Sequence, residues 1–413
     1  MSAMFKSKLF LPILIGILIR IFLMAYTYHP DLAGQSLSSY FWGTKNIVNV
    51  YEHLLTLSPE HPLVRNFGVS DIFIYPPLTY FTLGTFQKLF SFSGLGNFIE
   101  SVMSGTNIYK ISGLNWYLFI LKFPYLIFDL AIAVLLYKYF NTPRQKYLAF
   151  TLWIFNPINL YTTFCLGVFD IIPVFFTVLS AYFLKKQKLL FSALSIGFGI
   201  AFKMYPIFLL PFVILKSNKW LDRIKLAIIS FLPVIVTNLP YIFSSAYRYM
   251  VFSPKSQKML YMQWMLSGAE GIFPFLLILT FLYLLSQNKL CRPKFYVSYF
   301  FSVFLLLFSV THFHPQWFLW IAPFLIIELI NYQFKEFWIY LSLILIYIFI
   351  IFTFENSLSV GLFAPLNPSL AFFVGTQSIM TKYTDINMLK SYFRSIFAGI
   401  SAYIMYSHLK NNA

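Results

Sequence analysis

The amino-acid sequence predicts an all-α polytopic membrane protein, and three observations carry that expectation. First, 59% of its 413 residues are hydrophobic and only 10% are charged, with a mean hydropathy of +0.73. A soluble chain of this size could not hide so much apolar surface. Second, apolar runs recur at lengths near the ~20 residues that a helix needs to cross a bilayer. These runs are continuous rather than alternating. Backbone groups in lipid must be satisfied internally, so helices are expected rather than barrel strands. Third, the net charge of +17 is carried mostly by Lys and Arg in short loops between the runs. That is the positive-inside pattern of membrane topology, not a nucleic-acid footprint.

Aromatic residues make up 21% of the chain, with 51 Phe and 29 Tyr. This suits greasy grooves for a lipid chain, and it suits an AT-rich genome equally well. Cys165 and Cys291 lie in or beside apolar runs and imply no disulfide framework. The first run lacks a small-residue cleavage site and reads as a signal anchor.

Taken in order, Lys6 and Lys8 precede the run Leu9 to Tyr26, which places the N-terminus in the cytoplasm and Asp31 outside. Residues 29–70 read as polar and irregular. The stretch from Ile72 to Phe92 opens with Tyr75-Pro76-Pro77 and contains Gly84 and Lys88. It reads as a helix lying in the outer interface, not as a span. Residues 29–114 therefore form one long external loop with a membrane-associated helix. Trp116 to Tyr137 then returns to Lys138, Arg144 and Lys146 on the inside.

Tyr147–Phe164 and Val168–Leu184 follow, and then two short arms, Leu189–Phe202 and Tyr205–Leu215, meet at Lys203. Their shortness predicts a tilted or shallow pair. Further spans are expected at Ala227–Phe243, Ile272–Leu285, Tyr296–Val310, Trp317–Leu329, Trp338–Phe354 and Tyr392–Tyr406. The total is about twelve spans. Arg248, Lys255, Lys258, Lys382, Lys390 and Arg394 are basic residues on the outer side that depart from the charge rule. Residues 1–413 read as a single integral membrane domain.

Asp31 occupies the segment Tyr28-His29-Pro30-Asp31, where the first run leaves the bilayer ahead of a long loop. A carboxylate there is placed to act as a catalytic base at the water–lipid boundary, although an ordinary helix-end carboxylate gives the same sequence. Lys203 closes an apolar run on the same side. It suits a partly desolvated lipid phosphate, or simple snorkelling to the surface. His312, His314 and Gln316 suit hydrogen bonding to phosphate or sugar. Two histidines two residues apart do not share a helix face, and no acidic neighbour completes a metal set, so a divalent metal is possible but not favoured. Asp71 and Asp170 fall on this side too and could orient a substrate. Arg20 and Asp129 lie within apolar runs, and such costly groups predict a structural pair. There is no phosphate-binding P-loop, no GxSxG and no nucleotide fold. An enzyme built this way would draw its activated donor from the membrane.

Several stretches together resemble a known family. They are Asp129-Leu130 in a span, Trp153-Ile154-Phe155-Asn156-Pro157, Gly167-x-x-Asp170, the Lys185-Lys186 loop, and Gly197-Phe198 followed by Lys203-x-Tyr205-Pro206. Gln316-Trp317-Phe318-Leu319-Trp320, preceded by His312, continues the series, and Tyr75-Pro76-Pro77-Leu78-Thr79 is similar to a motif of related glucosyltransferases. In the shared order of these stretches the chain resembles the GT-C superfamily of multi-span glycosyltransferases that use polyprenyl-phosphate sugars. Within it, the likeness is to the GPI mannosyltransferase I family and its prokaryotic relatives, most strongly over 115–215. The family's first external loop usually carries paired acidic residues; here Asp31-Leu32-Ala33 offers one carboxylate, and Ile74 stands where the glucosyltransferases have an acid. A single-base mechanism without a metal clamp is favoured.

The resemblance implies a GT-C-like bundle and an inverting transfer of a hexose, mannose by preference, from a polyprenyl-phosphate donor. The acceptor would be a glycan, lipid or protein hydroxyl on the extracytoplasmic face. Asp31 would be the base, Lys203, His312 and His314 the donor-phosphate ligands, and Asp71, Asp170 and Gln316 the orienting groups. No cofactor is expected. The membrane would be a prokaryotic plasma membrane or, alternatively, the endoplasmic reticulum. The same apolar, basic-rimmed spans also fit a flippase of lipid-linked sugars or a non-catalytic subunit of a membrane transferase. The absence of internal repeats weighs against the transporter.

Overall fold

The computed structural model describes residues 3–68, 71–252, 262–287, 294–311 and 314–411. The regular secondary structure of these residues is almost entirely helical. The first long helix, α1 (Ala3–Tyr26), is followed by α2 (Pro30–Gly43), α3 (Val50–Leu55), α4 (Pro62–Phe67), α5 (Pro77–Leu89) and α6 (Leu95–Met103). The bundle proper begins with α7 (Leu114–Tyr139) and α8 (Pro143–Ile154). A short α9 (Pro157–Asn159) leads into a π-helical turn, Leu160–Leu166. Then come α10 (Ile171–Lys185), α11 (Leu189–Phe202), α12 (Leu210–Leu215) and α13 (Trp220–Asn238). After α14 (Ser245–Val251), a two-residue antiparallel pairing joins Trp264–Met265 to Gly271–Ile272. The chain closes with α15 (Pro274–Gln287), α16 (Lys294–Val310), α17 (Ala322–Asn331), α18 (Phe337–Phe352), α19 (Thr376–Met380) and α20 (Ile386–Asn411).

Among the described residues, Leu9–Tyr26, Leu114–Tyr139 and Trp220–Tyr241 are long and apolar enough to cross a membrane, and seven further apolar helices are shorter. Several expected spans are interrupted. Tyr147–Phe164 breaks at Asn156-Pro157 and finishes as the π-helical turn. The second arm of the short pair begins as a 3-10 turn, Tyr205–Leu209, and the Gln316 region as another, Pro315–Trp320. Each break falls at a proline, which has no N–H to give and clashes with the preceding turn.

The largest correction concerns the stretch expected to be irregular, whose described residues 29–68 form α2, α3 and α4, with most of α2 buried. Its first ten residues, Pro30 to Ser39, are mostly small or polar, a composition that reads as loop but here permits close packing. A Cβ added to Gly43 would come 2.3 Å from the Gly84 carbonyl oxygen, so α2 and α5 cross nearly backbone to backbone. Gln87 Nε2 donates to the Ser36 carbonyl at 2.9 Å across the same crossing.

Arg20 and Asp129 pair as expected. Arg20 Nε reaches Asp129 Oδ2 at 2.5 Å with both residues fully buried, which locks α1 to α7. The guanidinium also donates to Gly16 O at 3.0 Å and Ile154 O at 2.8 Å. Asp129 Oδ1 accepts from Trp153 Nε1 at 2.9 Å and Asn159 Nδ2 at 2.6 Å, which draws α8 and α9 onto the pair. At the other end of the later helices, Glu328 of α17 faces His408 of α20 at 3.3 Å, and Tyr340 of α18 bonds the far ring nitrogen at 2.9 Å.

A buried pair broken on one side leaves an uncompensated charge. Arg20→Met should therefore cost about 3–5 kcal/mol, and Arg20→Met with Asp129→Asn should recover part of that loss. Thermal unfolding of the purified protein in detergent checks both. Equal stability of the single variant and wild type would mean that the pair does not hold the bundle.

Candidate functional site

Asp31 sits in the first turn of α2, where a carboxylate suits the positive end of the helix dipole. Helix α2 starts here because Pro30 takes the first helical position and His29 caps it, its Nδ1 accepting the Asp31 N–H at 3.2 Å. His29 Nδ1 also lies 3.6 Å from Asp31 Oδ1. The Asp31 side chain is 33% exposed, so it meets solvent while held in place. Gln316 Nε2 approaches its Oδ2 at 3.4 Å.

Lys203 follows directly on α11, with an extended backbone. Pro206, three residues on, prevents the helix from continuing. The orphan carbonyl of Phe202 is met by Thr79 Oγ1 of α5 at 3.0 Å, so the Tyr75-to-Thr79 motif anchors the residue beside Lys203. The Lys203 ammonium contacts both oxygens of Asp170, at 2.9 and 3.0 Å. Asp170 stands at the N-cap of α10 yet makes no side-chain cap bond. Its carboxylate is turned instead to Lys203 and to Trp320 Nε1, which donates at 2.6 Å. Around the ammonium stand four rings: Trp320 at 5.3 Å, Tyr75 at 5.4 Å, Phe169 at 5.6 Å and Trp317 at 5.8 Å. Tyr205 stacks on Trp320 at 3.7 Å and 6°, which fixes the indole.

The two halves meet through adjacent residues, since Gln316 reaches Asp31 and Trp317 flanks Lys203. His314 packs on Trp317 at 4.5 Å. Asp31, Gln316, His314, Lys203 and Asp170 thus form one connected site. Asp71 lies in the turn after Gly68, four residues before Tyr75, with its amide bonded to Gly68 O. His312 lies outside the described residues. Tyr75 bridges both halves. Burial, and then the carboxylates of Asp31 and Asp170, hold its phenol well above the ordinary value, so it stays neutral. Gln35 of α2 accepts the Phe169 amide at 3.3 Å.

Two apolar cavities flank this polar patch. One of about 540 Å³ is walled by Tyr161, Cys165, Tyr347, Ile351 and Leu362. The carbonyl of Leu362 accepts the Tyr28 amide at 2.9 Å, which brings that wall to the Asp31 segment. A second, of about 220 Å³, is lined by Pro76, Met204, Leu239 and Tyr247, next to Lys203.

Sequence reading did not assign roles to Tyr75, Trp317 and Trp320 beyond their motifs, and it passed over His29, Gln35 and Lys122. Lys122 carried its own signal, a lysine in the middle of the apolar run Trp116 to Tyr137. Tyr75 and Trp320 are aromatic residues among many, and only their partners set them apart.

Burial pushes the His29 imidazole below its usual value, against the opposing pull of Asp31 and Glu355. The sign follows. Above the unfolded value of about 6.5 both states are neutral, and below it the unfolded chain takes the proton first, so stability falls as pH drops from there toward the folded value. Asn caps helices well without titrating. His29→Asn should therefore flatten the fall in melting temperature between about pH 7 and 5. An unchanged pH profile would remove His29 as its source.

A 90-residue stretch of the chain is 34% identical to GPI mannosyltransferase 1 of Kluyveromyces lactis, covering 21% of this chain and 22% of that protein. The match thus spans about a fifth of the relative's length. No protein-family model matches the chain, and no solved structure does.

Proposed function

We propose that this protein is an inverting glycosyltransferase that moves a hexose, mannose by preference, from a polyprenyl-phosphate donor to a hydroxyl acceptor. The observation that supports it best is the junction at Gln316-Trp317, which sets an accessible carboxylate, Asp31, beside an aromatic-walled cation, Lys203. The partial likeness to a mannosyltransferase favours mannose. On this reading the site faces the extracytoplasmic side, in a prokaryotic plasma membrane rather than the endoplasmic reticulum.

Asp31 takes the proton of the acceptor hydroxyl as its oxygen attacks the anomeric carbon. The bond from that carbon to the lipid phosphate breaks, and the phosphate leaves with the electron pair. Lys203 and His314 stand where its charge develops, in a partly dry setting where such stabilisation is strong. An ammonium has three donors and Asp170 takes at most two. Gln316 orients Asp31, and the half-buried Trp317 offers a flat face to the sugar. The two apolar cavities provide room for isoprenoid chain. The mechanism invokes no metal.

Release of radiolabelled sugar from synthetic polyprenyl-phosphate mannose by the purified protein tests the proposal. Asp31→Asn should lower turnover by about 10²–10⁴-fold with donor binding retained. Full activity in that variant would remove Asp31 as the base. No release by wild type with either mannose or glucose donors would favour the transporter reading.

A further inference from the structure

We infer that Lys122 is a positioning residue that sets the two site carboxylates, Asp31 and Asp170, relative to each other. Lys122 lies inside α7 and is fully buried, so it touches no substrate. Its ammonium donates to Thr27 O at 2.6 Å, Phe164 O at 2.7 Å and Thr27 Oγ1 at 3.0 Å. Leu23 O is a fourth, longer acceptor at 3.4 Å, and the Thr27 hydroxyl itself lies 2.6 Å from Leu23 O and 3.0 Å from Phe164 O.

These acceptors stand at two exits from the bundle. Thr27 directly follows α1 and lies four residues before Asp31; Phe164 lies near the end of the π-helical turn, six residues before Asp170. Carbonyls at helix ends have no partner of their own and carry the negative end of the dipole. A single buried lysine satisfies both ends at once. Burying an ammonium is costly, and an apolar side chain could fill the same volume. What the lysine adds is a second tie, beside the Thr27 hydroxyl, between two chain segments that share no sequence proximity.

The packing around the lysine stem extends that tie. Gly167 takes the left-handed conformation at φ +70°, and a Cβ there would meet Lys122 Cε at 2.9 Å and both Leu32 methyls at 3.4 Å. Leu32 is the neighbour of Asp31, and Gly167 is three residues from Asp170. Lysine, glycine and leucine therefore stack in a column joining the two segments. Gln35 closes it from above by accepting the Phe169 amide.

The kinetic consequence rests on the glycosyl-transfer reading; the structural tie does not. The test uses purified full-length wild type, Lys122→Met and the milder Thr27→Val, with hydrogen–deuterium exchange beside transfer kinetics. In Lys122→Met the amides of residues 28–34 and 165–170 should both exchange at least about tenfold faster, while the interior of α10 is unchanged. Turnover should fall on the order of 10–100-fold with KM within about threefold, since a displaced base costs rate more than binding. Thr27→Val should shift both readouts the same way by less, and it carries the test if Lys122→Met does not fold. Loosening of one segment alone, or of neither, would overturn the tie. Loosening of both with unchanged turnover would overturn the positioning role. If wild type transfers no sugar, the glycosyl-transfer reading fails separately and exchange alone decides the tie.

Discussion

The ion pair between Arg20 and Asp129 is the constraint on which the rest of the molecule depends. Two charges withdrawn from water into an apolar bundle cost several kcal/mol each unless every donor and acceptor is met. Here the cost is answered from four directions. Asp129 accepts from Arg20, Trp153 and Asn159, and Nη1 of the guanidinium donates to the Gly16 and Ile154 carbonyls. This requirement fixes α1, α7, α8 and α9 in one register. It also accounts for Trp153 and Asn156, which looked like signature residues and prove to be scaffold. Asn156 caps the short helix that presents Asn159 to Asp129.

From that locked core the chain leaves at two points, after α1 and after the π-helical turn, and each exit carries a site carboxylate. The third component, Lys203, arrives on a separate arm whose end is held by Thr79. A site assembled from chain ends needs its precision from what grips those ends. The buried contacts of Thr27, Phe164 and Phe202 supply that grip in side-chain-to-carbonyl bonds.

Much of this was legible in the sequence wherever cost made it visible. An arginine and an aspartate inside apolar runs had to find each other, and they do. The bounds of α11 match the apolar run Leu189 to Phe202 because Lys188 and Lys203 flank it and no proline falls inside. Asp31, Gln316, Lys203 and Asp170 were each identifiable as charges or amides at the ends of apolar runs. Their mutual pairing was not: Trp320 and Asp170 are separated by 150 residues, and nothing local announces the bond between them. Helix α2 was missed because Gly, Ser and Ala signal loop in isolation, whereas against α5 they are the residues that let two backbones meet. The π-helical turn was missed because a continuous apolar run does not disclose how its backbone is wound.

The pairing of Lys203 with Asp170 bears on the proposed chemistry. A free ammonium in an aromatic cage would be poorly solvated, and the carboxylate offsets that while the site is empty. A phosphate entering beside Lys203 would compete for the same charge. Asp170 would not then be left bare, because Trp320 donates to it independently and the start of α10 lies beneath it. Tyr205, stacked on Trp320, keeps that donor from following the lysine. The carboxylate can therefore release its cation at less cost than a buried acid with one partner could. The four rings within 6 Å also attract the ammonium, so Asp170 is not its sole source of stabilisation. Aromatic side chains and a second donor thus make the ion pair exchangeable, and an exchangeable pair can hold a cation ready for an anionic leaving group without leaving it unpaired at rest.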